Sequence, residues 1–267
     1  MKKLLLQLLA ILILFYLTWF GLYQIDWMRI LNVEQTTRKT EEKLGDLYWD
    51  LLKKTENEIH SDTVVSQIDS LLKRICDKND IERSKIKIHL LKKDEVNAFA
   101  LPNNYLIVYS GLIDECENEA ELCGVLCHEI AHMEKHHVMK KLGKEVGLSV
   151  LISMTAGNGN AEVIRQTLKL LSSTAYDRNL ESEADITATD YLIKANLDPE
   201  AFANFLFRLS KKEGNLPKEV YWISTHPDSE ERSVKIIQYI KNKDIIKDSI
   251  LTTEQWDFLK KKSKQSE

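Results

Sequence analysis

The segment from Glu121 to Lys135, ELCGVLCHEIAHMEK, constrains the fold of this chain more than any other stretch. Its apolar residues recur at helical spacing and predict a buried helix: Leu122, Val125, Leu126, Ile130 and Met133. Residues four apart on a helix face the same side, so His128 and His132 point in one direction. Two imidazoles placed in this way can bind one metal ion, and Glu129 can reach a water molecule beside that ion.

The H-E-x-x-H pattern of these residues is the arrangement of zinc peptidases, in which the glutamate is the general base. With seven histidines in 267 residues, a chance match somewhere is on the order of one per cent. An amphipathic helix with two polar residues on one face is the alternative interpretation. A third ligand elsewhere in the chain favours the metal site, because catalytic zinc has three protein ligands and one open position.

A carboxylate for this third position lies further along the chain, in the segment Arg178 to Asp185, RNLESEAD. On a helix, Glu181 and Asp185 share a face. Glu181 can supply an oxygen to zinc, and Asp185 can fix the tautomer of a ligand histidine by bonding its free ring nitrogen. A solvated acidic face is the alternative for this segment alone, but two histidines upstream need a third ligand.

Other residues near the motif are interpreted as packing or surface residues rather than ligands. His136 and His137 follow the motif directly. Val138 stands where a metzincin has its third histidine, which excludes that class. The four cysteines lack C-x-x-C spacing, so a cysteine zinc site is not predicted.

Residues 1–30 predict a membrane anchor or a signal segment. The run Leu4 to Leu22 is apolar, and no charge occurs between Lys3 and Asp26. This length is sufficient to cross a bilayer as a helix, and the lack of a small-residue cleavage site favours an uncleaved anchor. The N-terminal lysines predict a cytoplasmic N-terminus. Residues 31–267 would then form one extracytoplasmic domain, which is periplasmic if the source is a Gram-negative bacterium.

Periodicity predicts an α+β fold that is mainly helical, with a small β-sheet next to the metal helix. Alternating polar and apolar residues predict a strand at Lys85–Leu90. Two further strands are predicted at Val96–Leu101 and Tyr105–Tyr109, with the turn signal Pro102-Asn103-Asn104 between them. Helical spacing predicts further helices at 33–60, 63–76, 161–173, 234–240 and 255–262. A hydrophobic content of 43% supports a sizeable core, and a net charge of −4 gives no electrostatic case for a nucleic-acid partner.

The second predicted strand is a candidate for substrate binding. Zinc peptidases commonly bind the substrate chain as an extra strand against the edge of a sheet. Asn97, Ala98 and Phe99 would provide that edge. An interior position for this strand is the alternative, and the sequence leaves the choice open.

Four ordered motifs of the chain resemble those of the zincin peptidases typified by HtpX, the CAAX prenyl endopeptidases and the Oma-type and BepA-type proteases. Besides H-E-x-x-H and E-x-x-A-D, the stretch from Asn97 to Leu112 resembles the strand pair of this family. Ser224–Pro227 with Arg232 resembles its late S-T-H-P segment. Asparagines replace the usual glycines after Pro102, and a single membrane segment fits the single-anchor or periplasmic members.

The resemblance, which covers roughly residues 60–240, implies a zincin-like fold and one zinc ion. It implies that His128, His132 and Glu181 bind the zinc and that Glu129 is the general base. It also implies that Asp185 supports the ligands, that His226 gates the metal or stabilises the oxyanion, and that Arg232 holds this region.

The predicted function is that of a zinc metalloendopeptidase acting on polypeptides. The resemblance and the anchor add a substrate class, unfolded or misassembled envelope proteins, and a role in protein quality control. One alternative is a chaperone-like client-binding or assembly module with gated or rare proteolysis. Another is a structural zinc protein in which His226 fills the fourth metal position permanently.

Overall fold

The structure is a computed structural model that describes residues 7, 16, 33–158, 160–212 and 221–264. The predicted membrane segment Leu4–Leu22 lies outside these residues, except for Gln7 and Tyr16, and it stays a prediction. None of the helices in the described part has both the length and the apolarity to cross a bilayer. The chain divides into two compact units, Met1–Thr40 and Glu41–Glu267, and the second carries the sheet and the site.

The described residues are mainly helical and contain one small sheet, as the sequence predicts. In chain order the α-helices are α1 (Val33–Thr55), α2 (Asp62–Lys78), α3 (Ser110–Glu115), α4 (Glu119–Glu134), α5 (His137–Glu145), α6 (Leu148–Ser153), α7 (Ala161–Ser173), α8 (Arg178–Lys194), α9 (Pro199–Lys212), α10 (Tyr221–Thr225), α11 (Ser229–Ile240) and α12 (Thr253–Lys264). A 3₁₀ turn at Arg83–Lys85 and a π-helical turn at Met154–Asn158 complete the helical elements of this part of the chain.

The sheet has the strand order β1-β3-β2, with β1 at Lys87–Leu91, β2 at Ala98–Leu101 and β3 at Tyr105–Tyr109. β1 runs parallel to β3, and β2 runs antiparallel to it. β1 begins two residues later than predicted because the 3₁₀ turn occupies the chain before it. In the strand order β1-β3-β2, β2 lies at an edge of the sheet and not in its interior.

The hairpin between β2 and β3 forms with asparagines in place of glycines. Asn103 and Asn104 have φ angles of 62° and 57°, in the left-handed region that asparagine adopts more readily than most residues. The side chain of Asn103 also donates a hydrogen bond of 3.0 Å to Oδ1 of Asp46 in α1. This turn sets β2 beside the central strand and leaves its outer edge facing the site.

Helix α4 lies at the centre of the fold, in contact with β2, α8 and α9. It begins after Asn118, whose side chain accepts a hydrogen bond of 3.1 Å from the N–H of Glu121. Every residue from Leu122 to Met133 is buried, so the helix is enclosed on all sides and not only along one stripe. All four cysteines are free and buried. Because burial on all sides fixes the axis of α4, it also fixes the direction of His128 and His132.

Close packing between α4 and α9 depends on Gly124. A Cβ at this position would lie 2.4 Å from the Cβ of Phe202. We expect Gly124→Ala to lower the free energy of unfolding by about 1–3 kcal/mol, because extra atoms in a packed core force side chains and backbone to shift. Gly143→Ala in α5 is the matched control, since its Cβ would meet nothing within 4 Å. Urea unfolding would contradict this packing if the Gly124 variant were as stable as the wild type.

Candidate metal centre and active site

Three predicted ligands converge between α4 and α8. Nε2 of His128 lies 3.0 Å from Nε2 of His132. Glu181 places Oε1 at 3.3 Å from Nε2 of His132 and Oε2 at 3.5 Å from Nε2 of His128. Each of the three side chains is at most 2% exposed. Burial, together with the neighbouring His128, lowers the pKa of His132 well below its usual range, which keeps this imidazole in the neutral form that binds metals.

The donor set fits one divalent metal ion. Zinc binds imidazole nitrogen and carboxylate oxygen at about 2.0–2.2 Å in a tetrahedral arrangement, which places neighbouring donor atoms about 3.3 Å apart. In this site the two ring nitrogens are 3.0 Å apart, and each lies 3.3 to 3.5 Å from a different oxygen of the Glu181 carboxylate. Two imidazoles and one carboxylate are also the ligand chemistry of catalytic zinc sites.

His226 adds a fourth donor to this group. Its Nδ1 lies 3.1 Å from Nε2 of His128 and 2.9 Å from Oε1 of Glu181. One donor atom from each of the four residues lies within 4.8 Å of every other. In this conformation His226 thus stands where solvent or substrate would approach the three other donors.

The Glu129 carboxylate is buried beside the donors and faces β2. Its Oε2 accepts a hydrogen bond of 3.0 Å from the N–H of Ala100. Its Oε1 accepts one of 3.4 Å from Nε1–H of Trp222 and lies 3.3 Å from Nε2 of His226. These contacts hold the carboxylate between the metal donors and the edge of the sheet.

Asp185 and Arg232 lie behind the donors. Oδ1 of Asp185 lies 3.0 Å from Nδ1 of His128. Arg232 donates two hydrogen bonds, of 2.8 and 2.7 Å, to the Asp185 carboxylate, and its Nη1 lies 2.7 Å from Oε2 of Glu181. Its Nη1 also donates to the carbonyl oxygen of His226 at 3.1 Å. One guanidinium thereby connects both carboxylates with the backbone of His226.

The charges of this cluster are compensated. Burial alone would raise the pKa of Asp185, but Arg232 and its hydrogen bonds, together with His128, lower this pKa to about 2. Burial would likewise raise the pKa of Glu181, whereas the charges of His226 and Arg232 hold it well below its usual range. Both carboxylates are therefore ionised at neutral pH, and the ionised form is the one that ligates metals.

The outer edge of β2 meets the site, but α10 covers part of it. Along an antiparallel edge strand, alternate residues turn their backbone groups outwards. The carbonyl of Asn97 faces β3, because it accepts a hydrogen bond of 3.1 Å from the N–H of Tyr109. The outward carbonyl of Val96 accepts from the N–H of Trp222 at 3.2 Å, and the outward N–H of Ala100 is bonded to Glu129.

The predicted substrate residues therefore lie at the edge with different orientations. Ala98 shares the outward backbone direction of Ala100, because it is two residues away. Asn97 and Phe99 direct their backbone groups towards β3. The Asn97 side chain donates to Oε1 of Glu95 at 3.1 Å, and the Phe99 ring packs edge-on against Tyr109 with centroids 5.7 Å apart.

Three residues near the site were not recognised in the sequence. The Trp222 indole stacks on His226 with ring centroids 4.7 Å apart. The Tyr176 ring lies on His132 with centroids 4.1 Å apart. His137, interpreted as a packing or surface residue, is fully buried and contacts His132. No residue spacing predicts that these three residues lie at the site. The position of Trp222 just before the S-T-H-P segment is the one local indication.

Two histidines from α4 and a glutamate from α8 form a candidate metal site of the kind that the zincin class has. A second glutamate, Glu129, lies between these residues and the edge of the sheet. A family model described as Peptidase family M48 matches residues 64–240. The chain belongs to peptidase family M48, which confirms the resemblance drawn from the four motifs.

The chain is similar to several curated relatives. The mitochondrial metalloendopeptidase OMA1 of Schizosaccharomyces pombe is 27% identical over 175 residues, which cover 65% of this chain and 52% of the relative. The beta-barrel assembly-enhancing protease of Escherichia coli strain K12 is 26% identical over 206 residues, which cover 72% of this chain and 42% of the relative. The matched part of this chain thus spans about half the length of these relatives or less.

Proposed function

We propose that this protein is a zinc-dependent endopeptidase in which His128, His132 and Glu181 bind one Zn²⁺. The observation that carries the proposal is the convergence of these donors at 3.0–3.5 Å beside a buried glutamate on the same helix. Zinc held there supplies a Lewis acid that polarises a peptide carbonyl and lowers the pKa of water.

Glu129 acts in this proposal as the general base and then as the general acid. Its carboxylate takes a proton from the attacking water and passes this proton to the leaving amine of the cleaved peptide bond. The hydrogen bond from Ala100 orients the carboxylate towards the sheet edge. A substrate strand along β2 would bring its peptide bonds to this carboxylate.

Asp185 and Arg232 keep the ligands in place. Asp185 fixes the orientation of His128 through its outer ring nitrogen, a role that carboxylates commonly have behind metal-binding histidines. Arg232 balances the charge of Asp185 and Glu181 and holds the backbone of His226. Neither residue touches the substrate in this proposal.

His226 gates the site. Its ring lies among the three ligands. Trp222 from the same segment contacts Glu129 and the carbonyl of Val96, two residues before β2. A substrate strand needs the positions that this segment occupies, so binding requires α10 and His226 to move. The same geometry supports a protein that binds metal at rest and cleaves only when this segment is displaced.

The gate makes His226→Ala informative. We expect this variant to keep zinc and to cleave casein about tenfold faster, because loss of about 1.4 kcal/mol from the closed state shifts the population by that factor. His60→Ala is the matched control, since the His60 side chain is 75% exposed. A fall of about 10²–10³-fold would instead assign His226 to oxyanion stabilisation, and unchanged cleavage would remove it from the mechanism.

Metal removal tests the proposed activity itself. We expect dialysis against a chelator to abolish casein cleavage and one equivalent of Zn²⁺ to restore it, because Glu129 has no activated water to deprotonate without the metal. A fluorogenic casein assay before and after dialysis measures this. Cleavage that persists in zinc-free protein would contradict the proposal.

We further propose that residues 1–30 anchor the protein in a membrane and that residues 31–267 act outside the cytoplasm. Unfolded or misassembled envelope proteins would be the substrates. The apolar run Leu4–Leu22 and the similarity to a mitochondrial metalloendopeptidase and a beta-barrel assembly-enhancing protease support this location. Membrane fractionation with N-terminal sequencing of the mature protein tests it, and a cleaved, soluble protein would contradict the anchor.

A second candidate function is client binding or assembly with rare, gated cleavage. The observation that favours it is the closed site, in which His226 and Trp222 contact the ligands and the general base. Cellular complementation by Glu129→Gln separates the two candidates. A variant that cannot cleave but still complements would make binding the main activity.

A further inference from the structure

His137 lies directly behind the ligand histidine His132. Nδ1 of His137 is 3.1 Å from Nδ1 of His132, and Nε2 of His137 is 3.3 Å from Oε2 of Glu183. The His137 side chain is fully buried, whereas that of Glu183 is 46% exposed. Lys135 places its Nζ 3.4 Å from the other oxygen of Glu183. A line of polar contacts therefore runs from the ligand to the surface.

A sharp turn in the backbone makes this contact possible. On a continuous helix, residues five apart point about 140° away from each other, so His137 would not face His132. His136 adopts the left-handed conformation, with φ 55° and ψ 29°, and separates α4 from α5. The chain turns back at this residue, and the first side chain of α5 returns to the outer face of His132.

The two histidine ligands are supported in different ways. The outer nitrogen of His128 faces the carboxylate of Asp185 at 3.0 Å. Among the described residues, the outer nitrogen of His132 instead meets the ring of His137. A histidine that binds a metal through Nε2 carries its proton on Nδ1 and needs an acceptor there.

The hydrogen-bond chemistry of His137 matches this need. A neutral imidazole accepts at one nitrogen and donates at the other. His137 can therefore accept from Nδ1–H of His132 at its own Nδ1 and donate from Nε2–H to the Glu183 carboxylate. In this arrangement each N–H along the line has an acceptor, and the last acceptor is a charged group that reaches solvent.

We propose that His137 and Glu183 are positioning residues that hold His132 in the tautomer and orientation needed to bind zinc. This inference rests on the proposed metal site. Loss of such outer partners typically weakens metal affinity by about 10–100-fold. His137 thus has a role towards the metal without being a ligand.

Zinc affinity, measured by competition with a fluorescent chelator, tests the proposal without using activity. His137→Leu introduces an apolar side chain of similar bulk and removes both ring nitrogens. We therefore expect a loss of about 10–100-fold in zinc affinity. His137→Gln supplies an acceptor and a donor again, and it should restore most of the affinity. His136→Asn is the matched control, because asparagine keeps the left-handed backbone and the His136 side chain is exposed.

Wild-type affinity in a folded His137→Leu variant would overturn the proposal, and so would a Gln variant no better than Leu. The melting temperature of each zinc-free variant separates a loss of folding from a loss of metal. If the Leu variant does not fold, Glu183→Leu tests the exposed end of the line, with an expected loss of about tenfold and unchanged affinity as the contradicting result. Wild-type protein that binds no zinc would instead overturn the proposed function.

Discussion

Glu129→Gln is expected to lower casein cleavage by about 10²–10⁴-fold while the protein keeps its zinc. Glutamine has nearly the shape of glutamate, and its carbonyl oxygen can still accept the hydrogen bond from Ala100. An amide, however, cannot take a proton from water at neutral pH. This variant should therefore lose the proton transfer needed for cleavage and still bind the metal.

Two measurements on the same preparation test this expectation: metal content by mass spectrometry and the initial rate of casein cleavage. Glu162→Gln serves as the control, because the Glu162 side chain is 53% exposed and lies on α7, outside the donor set. Cleavage within a few-fold of the wild type would show that Glu129 is not the general base. Loss of zinc from the Gln variant would mean that Glu129 supports the metal directly.

Arg232→Leu is expected to lower the free energy of unfolding by about 3–5 kcal/mol. Arg232 is 4% exposed and pairs with the carboxylates of Asp185 and Glu181. Removing it leaves two buried negative charges without their guanidinium partner. Proteins of this kind are stable by only about 5–15 kcal/mol, so the variant would be close to unfolding.

Urea unfolding of zinc-free protein measures this effect. Lys235→Met is the matched control on the same helix, because Lys235 pairs with Glu231 at the surface and such pairs contribute less than about 1 kcal/mol. Adding Asp185→Asn to Arg232→Leu should recover part of the loss, since one uncompensated charge is then removed. An Arg232→Leu variant as stable as the wild type would contradict the described ion pairs.

Helix α4 and the shared direction of its two histidines could be predicted from sequence because the two residues are close together in the chain. His128 and His132 lie one helical turn apart, and helical spacing alone places them on one face. Glu181 could be predicted only because two histidines need a third ligand to bind zinc, since no local pattern shows that α8 packs against α4. The strand Tyr105–Tyr109 and the helix Ala161–Ser173 have the predicted bounds, whereas β1 is displaced by the 3₁₀ turn before it.

The contacts that Trp222 and His137 make in the site could not be predicted in the same way. Trp222 contacts Glu129 across a separation that no periodicity encodes. His137 contacts His132 because His136 has a positive φ. Few non-glycine residues adopt this conformation, and no sequence pattern predicts it here. These contacts of Trp222 and His137 thus depend on long-range packing and on one unusual backbone angle, which local sequence patterns do not predict.

Zinc titration of the wild type beside Glu181→Gln tests whether His128, His132 and Glu181 bind one zinc ion together. We expect one tightly bound zinc ion per wild-type chain and a large loss of affinity in the Gln variant, because an amide is a much poorer ligand than a carboxylate. Equal zinc affinity of the two proteins, or a wild type that binds no zinc, would contradict this metal site.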